Sequence, residues 1–161
     1  MKQHHYNTTI EWTGNRGSGT DHYKNYERSH RIIIGHKADI EGSSDPAFRG
    51  DASKHNPEDL LLASLSSCHM LWYLHFCAVD NIVVEEYIDH ATAVMVEEES
   101  GKGSFKEAIL HPIVRVKTAE MIAPALALHR KASEYCFIAN SVNFQVSHRP
   151  TVQTEAVNRA T

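Results

Sequence analysis

Cysteine is scarce in this chain, which has three cysteines among 161 residues. Because three is an odd number, at least one thiol must be free, and a framework of structural disulfides is not expected. The cysteines form no Cys-x-x-Cys pair and have no spacing typical of zinc ligands. There are twelve histidines, but none are arranged as His-x-x-x-His or His-Glu-x-x-His. We therefore predict no metal site and no bound cofactor.

A strong charge of one sign is also absent. The formal net charge is −4, the pI is near 6.3, and no run of five basic residues occurs, which argues against a nucleic-acid partner. The first residues, MKQHHYNTTIEW, lack the apolar segment of a secretory signal, so we expect a cytoplasmic protein. The length and a hydrophobic content of 42% predict a single domain, 1–161, with a polar, loose tail at about 150–161.

One long apolar run, NPEDLLLASLSSCHMLWYLHFC, begins at Asn56. Asn56 is a good N-cap, Pro57 suits the first helical position, and Glu58 and Asp59 suit the positive end of the helix dipole. These residues predict a helix that begins at Pro57 and runs to about Val79. Its length would also allow a membrane span. Serines and histidines interrupt the run and no basic cluster flanks it, so we expect a buried helix and no membrane partner.

The remaining segments predict an α+β fold. Segments rich in β-branched and aromatic residues are typical of strands, and they lie at 6–12, 23–27, 31–34, 82–99, 104–117 and 142–148. A long polar loop is predicted at 41–57 and a second helix at 119–135, giving the order β-β-β-α-β-β-α-β. Because the central helix is apolar nearly all round, one sheet cannot cover it, and we expect a two-fold homodimer.

The cysteines occupy different environments. Cys68 lies in the long helix, where residues three, four and seven positions away share its face. Leu61, Leu65, Trp72 and His75 therefore lie on this face, and the first three are apolar. Cys77 points to the opposite side, and we interpret it as a small buried hydrophobic residue. Cys136 follows the second helix; if 137–141 are helical, its sulfur lies at a helix N-terminus, which favours a thiolate.

Three segments make the chain resemble the OsmC/Ohr family of thiol-dependent hydroperoxide peroxidases. They are the loop GNRGSGT, the helix start NPEDLLLASLSSC, and CFIANSV after the second helix. The resemblance covers about 6–148 and implies the OsmC-like fold with an intertwined two-fold homodimer. The chain departs from the family at Phe137, where proline is usual, and in the segment CHMLWYLHFC. It therefore looks like a less characterised branch of the family.

The resemblance implies a peroxidase that reduces organic hydroperoxides to alcohols in an oxidative or osmotic stress response. In the family's roles, Cys68 becomes a sulfenic acid and Cys136 condenses with it to a disulfide. A dithiol, which in this family is often a lipoyl group on a protein, then restores both thiols. An arginine held by Glu58 keeps the first sulfur ionised. Arg49 matches the OsmC pattern and Arg16 the Ohr pattern; we favour Arg49 slightly.

The helix geometry adds a reason for a dimer. Glu58 and Cys68 are ten residues apart, or about 15 Å along one helix, which a single arginine can hardly bridge within one copy. Two antiparallel central helices would bring Glu58 of one copy near Cys68 of the other. Leu61, Leu65 and Trp72 would form apolar pocket walls that favour alkyl or fatty-acid hydroperoxides. The alternative is a non-catalytic protein of the same fold that binds a small apolar ligand or senses oxidants.

Overall fold

The computed structural model describes residues 1–157, which form nine strands, two α-helices and three short 3₁₀ turns. This confirms the predicted α+β class. The chain divides into two compact units, Met1–Leu61 and Leu62–Thr161. The single domain over 1–161 stays a prediction, and the last four residues of the expected tail lie outside the described part.

The first unit contains a three-stranded antiparallel sheet. Its strands are β1 Thr9–Trp12, β2 His30–Ile33 and β3 Ile40–Gly42, with β2 in the centre. The strand expected at 23–27 is wrong, because this segment forms turns in which the rings of Tyr23 and Tyr26 contact the guanidinium of Arg28. The segment 41–57 was expected to be a loop, but it contains the end of β3 and a 3₁₀ turn, Pro46–Phe48.

Helix α1, Pro57–Val79, begins and ends at residues with clear capping chemistry. At its start the side chain of Asn56 accepts a hydrogen bond of 2.7 Å from the N–H of Asp59, as the sequence predicts. At its end Asn81 adopts the left-handed conformation, with φ of 57°. The N–H of Ile82 then bonds to the carbonyl of Cys77 at 2.8 Å. These features form a Schellman motif, which asparagine tolerates better than most residues.

The second unit contains two three-stranded sheets and helix α2, Ile122–Tyr135. In each sheet the central strand pairs with one antiparallel and one parallel neighbour. The first sheet has the order β4-β7-β9: Val84–Asp89, Pro112–Val116 and Thr151–Gln153. The second has the order β5-β6-β8: Thr92–Glu97, Gly103–Leu110 and Gln145–His148.

Two sequence expectations for this unit are wrong. Four strands, β4 to β7, take the place of the two long strands expected at 82–99 and 104–117, because the chain leaves the sheet between β4 and β5 and again at His111. The tail is not loose where it is described. Strand β9 pairs with β7, and the N–H of Val157 donates to a carboxylate oxygen of Glu86 at 2.7 Å. The side chain of Val157 is also buried, so this segment contributes to the fold.

Helix α1 is also the one described helix whose length and composition would allow it to cross a membrane. Two of its polar side chains nevertheless have partners within the second unit. Ser66 donates a hydrogen bond to Asp89, and His69 is hydrogen-bonded to His129. Apolar residues of α1 also join the buried core of this unit: Tyr73, Phe76 and Cys77. These contacts are typical of the core helix of a globular unit.

Candidate functional site

The second unit brings two thiols together. Cys68 lies in the middle of α1 and is half-buried, whereas Cys136 directly follows α2 and is 1% exposed. Their side chains lie close enough for Cys68 to help raise the pKa of Cys136, and neither cysteine is in a disulfide. Two sulfurs that are 68 positions apart in the sequence are therefore neighbours. Cys77 is buried in the core, where burial raises its pKa to about 11.

The environment of Cys136 favours the protonated thiol. Burial raises its pKa to about 11, and the neighbouring Cys68 acts in the same direction. The N–H of Ala139 donates to the Cys136 sulfur at 3.4 Å, which opposes this rise only in part. The expectation that a helix N-terminus would favour a thiolate here is wrong. The 3₁₀ turn that follows, Ala139–Ser141, has only three residues, so the effect of its dipole is smaller than the cost of desolvation.

Aromatic side chains flank the two thiols. Trp72, one turn beyond Cys68 on α1, contacts Tyr135 with 5.3 Å between ring centroids and Phe137 with 5.5 Å. Tyr135 and Phe137 are the immediate neighbours of Cys136 in sequence and both are exposed. The sequence analysis included Trp72 but missed these two residues, although their position beside Cys136 was a usable signal. Of the other predicted wall residues, Leu61 is half-buried and Leu65 is buried.

The two candidate arginines differ in their contacts within the first unit. Arg16 forms an ion pair with Glu27. Arg49 ends the 3₁₀ turn with φ of 65°, is exposed, and has its guanidinium 5.7 Å from the ring centroid of Tyr23. Among the described residues Arg49 has no carboxylate partner. A positive φ at a residue other than glycine is uncommon and is enriched at functional sites. The charge of Arg49 is thus available to a further anion, whereas that of Arg16 is already paired.

Glu58, in the first turn of α1, has a buried carboxylate oxygen. Its Oε2 has no hydrogen-bond partner among residues 1–157, so neither Arg16 nor Arg49 bonds to it within one chain. A buried carboxylate without a partner is costly, and such groups are normally paired. A donor for this oxygen would therefore have to come from outside the described part of a single chain.

Three histidines that the sequence did not group lie together in the second unit. His69 Nε2 is 3.0 Å from His129 Nδ1, and the ring of His148 lies 5.4 Å from that of His69. Burial lowers the pKa of His69 to about 4 and that of His129 to about 3. Both rings are therefore neutral near pH 7. No group of three or more histidine, cysteine or acidic residues in the described part of the chain is arranged to hold a metal ion.

Comparisons with known proteins agree with this fold and with the sequence motifs. The family model described as OsmC-like protein matches residues 50–150, which is more than half of the chain. An OsmC-like protein of unknown function from Vibrio cholerae has a solved structure with a TM-score of 0.83 and 27% identity. That match covers 92% of this chain and all of the other.

Two further solved structures are more distant in sequence. An organic hydroperoxide resistance protein from Elizabethkingia anophelis gives a TM-score of 0.67 at 17% identity, covering 96% of this chain and 99% of the other. One from Legionella pneumophila, described as OsmC, gives 0.68 at 16% identity, covering 94% and 98%. At these identities the likeness shows the fold alone. A search of curated proteins found no match. The matched residues and the shared architecture show that this chain belongs to the OsmC-like protein family.

Proposed function

We propose that this protein is a cysteine-based peroxidase that reduces organic hydroperoxides. The observation that carries the proposal is the proximity of Cys68 and Cys136, because such a cycle requires two neighbouring thiols. Two structural relatives are described as organic hydroperoxide resistance proteins. A chain with only three cysteines suits a reducing compartment, so we propose a cytoplasmic protein that acts in the response to oxidative or osmotic stress.

The two thiols would have different roles in the cycle because they differ in solvent exposure. The thiolate of Cys68, the more exposed of the two, attacks the outer oxygen of the hydroperoxide. The O–O bond breaks, the alcohol leaves with a proton, and Cys68 becomes a sulfenic acid. The sulfur of Cys136 then attacks the Cys68 sulfur, a disulfide forms, and the thiol proton and the hydroxyl leave as water. A dithiol, such as a lipoyl group, reduces the disulfide and is itself oxidised.

The raised pKa of Cys136 supports this division. A thiol that stays protonated near pH 7 is a poor nucleophile toward the peroxide, so it does not compete with Cys68 in the first step. Trp72, Tyr135 and Phe137 would provide an apolar approach for the organic part of the hydroperoxide. Leu65 and Leu61, one and two turns before Cys68 on α1, would support that approach from the helix side.

We also propose that the working unit is a homodimer. Several apolar side chains of the single chain are exposed, including Leu71 at 63% and Phe137 at 66%, and a second copy would cover them. Glu58 has a buried oxygen that lacks a donor, whereas Arg49 has a guanidinium that lacks a carboxylate. A pairing of these two groups would satisfy both charges and place a cation at the site. Arg16 is the second candidate for that cation.

The proposal can be tested with the reduced protein, cumene hydroperoxide and excess dihydrolipoamide. We expect many turnovers of peroxide per protein, loss of turnover in Cys68→Ser, and a Cys68–Cys136 disulfide in mass spectra of the oxidised protein. Cys136→Ser should still consume one equivalent of peroxide and give a sulfenic acid that dimedone traps. Cys77→Ser is the matched control, and it should leave turnover unchanged because Cys77 lies in the core.

Two results would contradict the proposal. One is a disulfide that contains Cys77, since it would exclude the assigned pair. The other is a single stoichiometric oxidation of the wild-type protein that no dithiol reverses. That second outcome would favour the alternative, in which the same fold senses oxidants without turnover.

A further inference from the structure

The hydrogen-bonded pair His69–His129 links the two helices that carry the thiols. His69 follows Cys68 directly on α1 and is 2% exposed; His129 lies on α2 and is 1% exposed. Helix α2 ends at Tyr135, and Cys136 is its C-cap. The link is therefore one residue from the first thiol and seven residues, or two helical turns, from the second.

We propose that His69 and His129 are positioning residues that set the approach of Cys136 to Cys68. This inference rests on the proposed thiol–disulfide cycle. A contact between two sulfurs tolerates little sliding or rotation of the helices that hold them. A buried hydrogen bond between ring nitrogens has a narrow range of distance and direction. The 3.0 Å contact between Nε2 of His69 and Nδ1 of His129 therefore fixes the register of α1 against α2 close to the thiols.

Packing on the other face of His129 supports this role. The ring of Tyr73, one turn beyond His69 on α1, stacks on the His129 ring with 3.9 Å between centroids and 14° between planes. The ring of His129 is thus held by α1 through a hydrogen bond and through a stacked ring. The lowered pKa values keep both histidines neutral near pH 7. In that state each ring has one nitrogen that donates and one that accepts, so the hydrogen bond forms when both rings adopt the same tautomer.

Substitutions can separate the hydrogen bond from the packing. His69→Gln places an amide near the former Nε2, and His129→Asn places one near the former Nδ1, so each can keep the hydrogen bond. The double variant His69→Leu/His129→Leu removes the bond and leaves no buried nitrogen without a partner, which limits the loss of stability. His148→Leu is the matched control. His148 packs against both rings, but its side chain forms no hydrogen bond with either of them.

The readout is the equilibrium between the Cys68–Cys136 disulfide and a glutathione redox buffer. It is measured by alkylation and mass spectrometry on the full chain at pH 7, with Cys77→Ser as the common background. We expect the effective concentration of the two thiols to fall about five- to tenfold in the double leucine variant, which is the size of one net hydrogen bond. The Gln, Asn and His148→Leu variants should stay within about twofold of the background. Urea unfolding should show that the double leucine variant keeps most of its stability.

The outcomes separate this inference from the proposed function. If the background protein forms no Cys68–Cys136 disulfide, the proposed cycle fails. If it forms one and the double leucine variant has the same effective concentration, only the positioning role is wrong. The positioning role is also wrong if His148→Leu lowers the effective concentration as much as the double variant does, because the cluster would then act through packing alone.

Discussion

Mild acid should destabilise this protein through the same histidine pair. In an unfolded chain a histidine has a pKa of about 6.5, whereas burial lowers that of His69 to about 4 and that of His129 to about 3. Because both pKa values are lower in the folded chain than in the unfolded chain, the stability that the neutral rings contribute is fully present above about pH 6.5. It is lost as the pH falls toward the folded pKa values. In this window the unfolded chain binds up to two more protons than the folded chain.

The magnitude follows from proton linkage. Each extra proton on the unfolded chain costs about 1.4 kcal/mol of unfolding free energy per pH unit, so two nearly saturated sites give about 2.5 kcal/mol between pH 6 and pH 5. His148 faces the same cluster and its pKa is also lowered by burial, which adds a smaller effect of the same sign. The nearby Tyr73 stays protonated because burial raises its pKa. Carboxylates titrate mainly below this window.

The assay is equilibrium urea unfolding at pH 7, 6 and 5 and at one protein concentration, followed by tryptophan fluorescence and circular dichroism. With a urea m-value of about 2 kcal/mol/M, the midpoint should fall by roughly 1 M between pH 6 and pH 5. The variant His69→Leu/His129→Leu should lose most of this pH dependence and keep only the part due to His148 and the exposed histidines. Equal slopes for the wild type and the variant would refute the reasoning.

Three substitutions test the proposed site, and one truncation tests the C-terminal segment. Arg49→Ala should lower the rate at which cumene hydroperoxide oxidises Cys68 by about 100-fold in stopped-flow measurements, because a cation at the site is lost. Arg16→Ala should retain most of the activity. The reverse order would assign the role to Arg16. Glu58→Gln should lower turnover by about tenfold yet leave the urea midpoint of the isolated chain equal or higher, because one carboxylate oxygen of Glu58 is buried there without a donor. A large loss of stability would contradict this. Ending the chain after residue 150 should lower the unfolding free energy by about 3 kcal/mol or more, because β9 and the burial of Val157 are lost; an unchanged urea midpoint would show that this segment is dispensable.

Local chemistry explains which elements could be predicted from the sequence. Helix α1 was predicted to within one residue at its start because the cap at Asn56, the proline and the acidic first turn are adjacent in the chain. Its end at about Val79 was also predicted, although Asn81, rather than the usual glycine, is the left-handed residue there. Strand β9 could not be predicted from a local pattern. It is three residues long and owes its conformation to parallel pairing with β7, which lies more than thirty positions earlier.

The site shows the same division between local and distant information. Cys68 and Cys136 could be connected only through a family resemblance, because no spacing rule joins two thiols that are 68 positions apart. The aromatic neighbours of Cys136 could have been included, since Trp72 was already expected on the face of Cys68. The contact of Glu58 with a cation stays a prediction, because its buried oxygen has no donor within the described residues.

The histidine pair shows why a buried polar site is hard to find in a sequence and why it is informative once found. His69 and His129 are 60 positions apart, and each alone resembles an isolated core histidine. Two neutral imidazoles in a core add little stability compared with apolar residues of the same shape, because desolvation offsets most of the hydrogen bond. Leucine at both positions would therefore satisfy the fold almost as well. Leucine cannot provide a directional contact next to Cys68. The contribution of the histidine pair is therefore to the relative position of the two thiols.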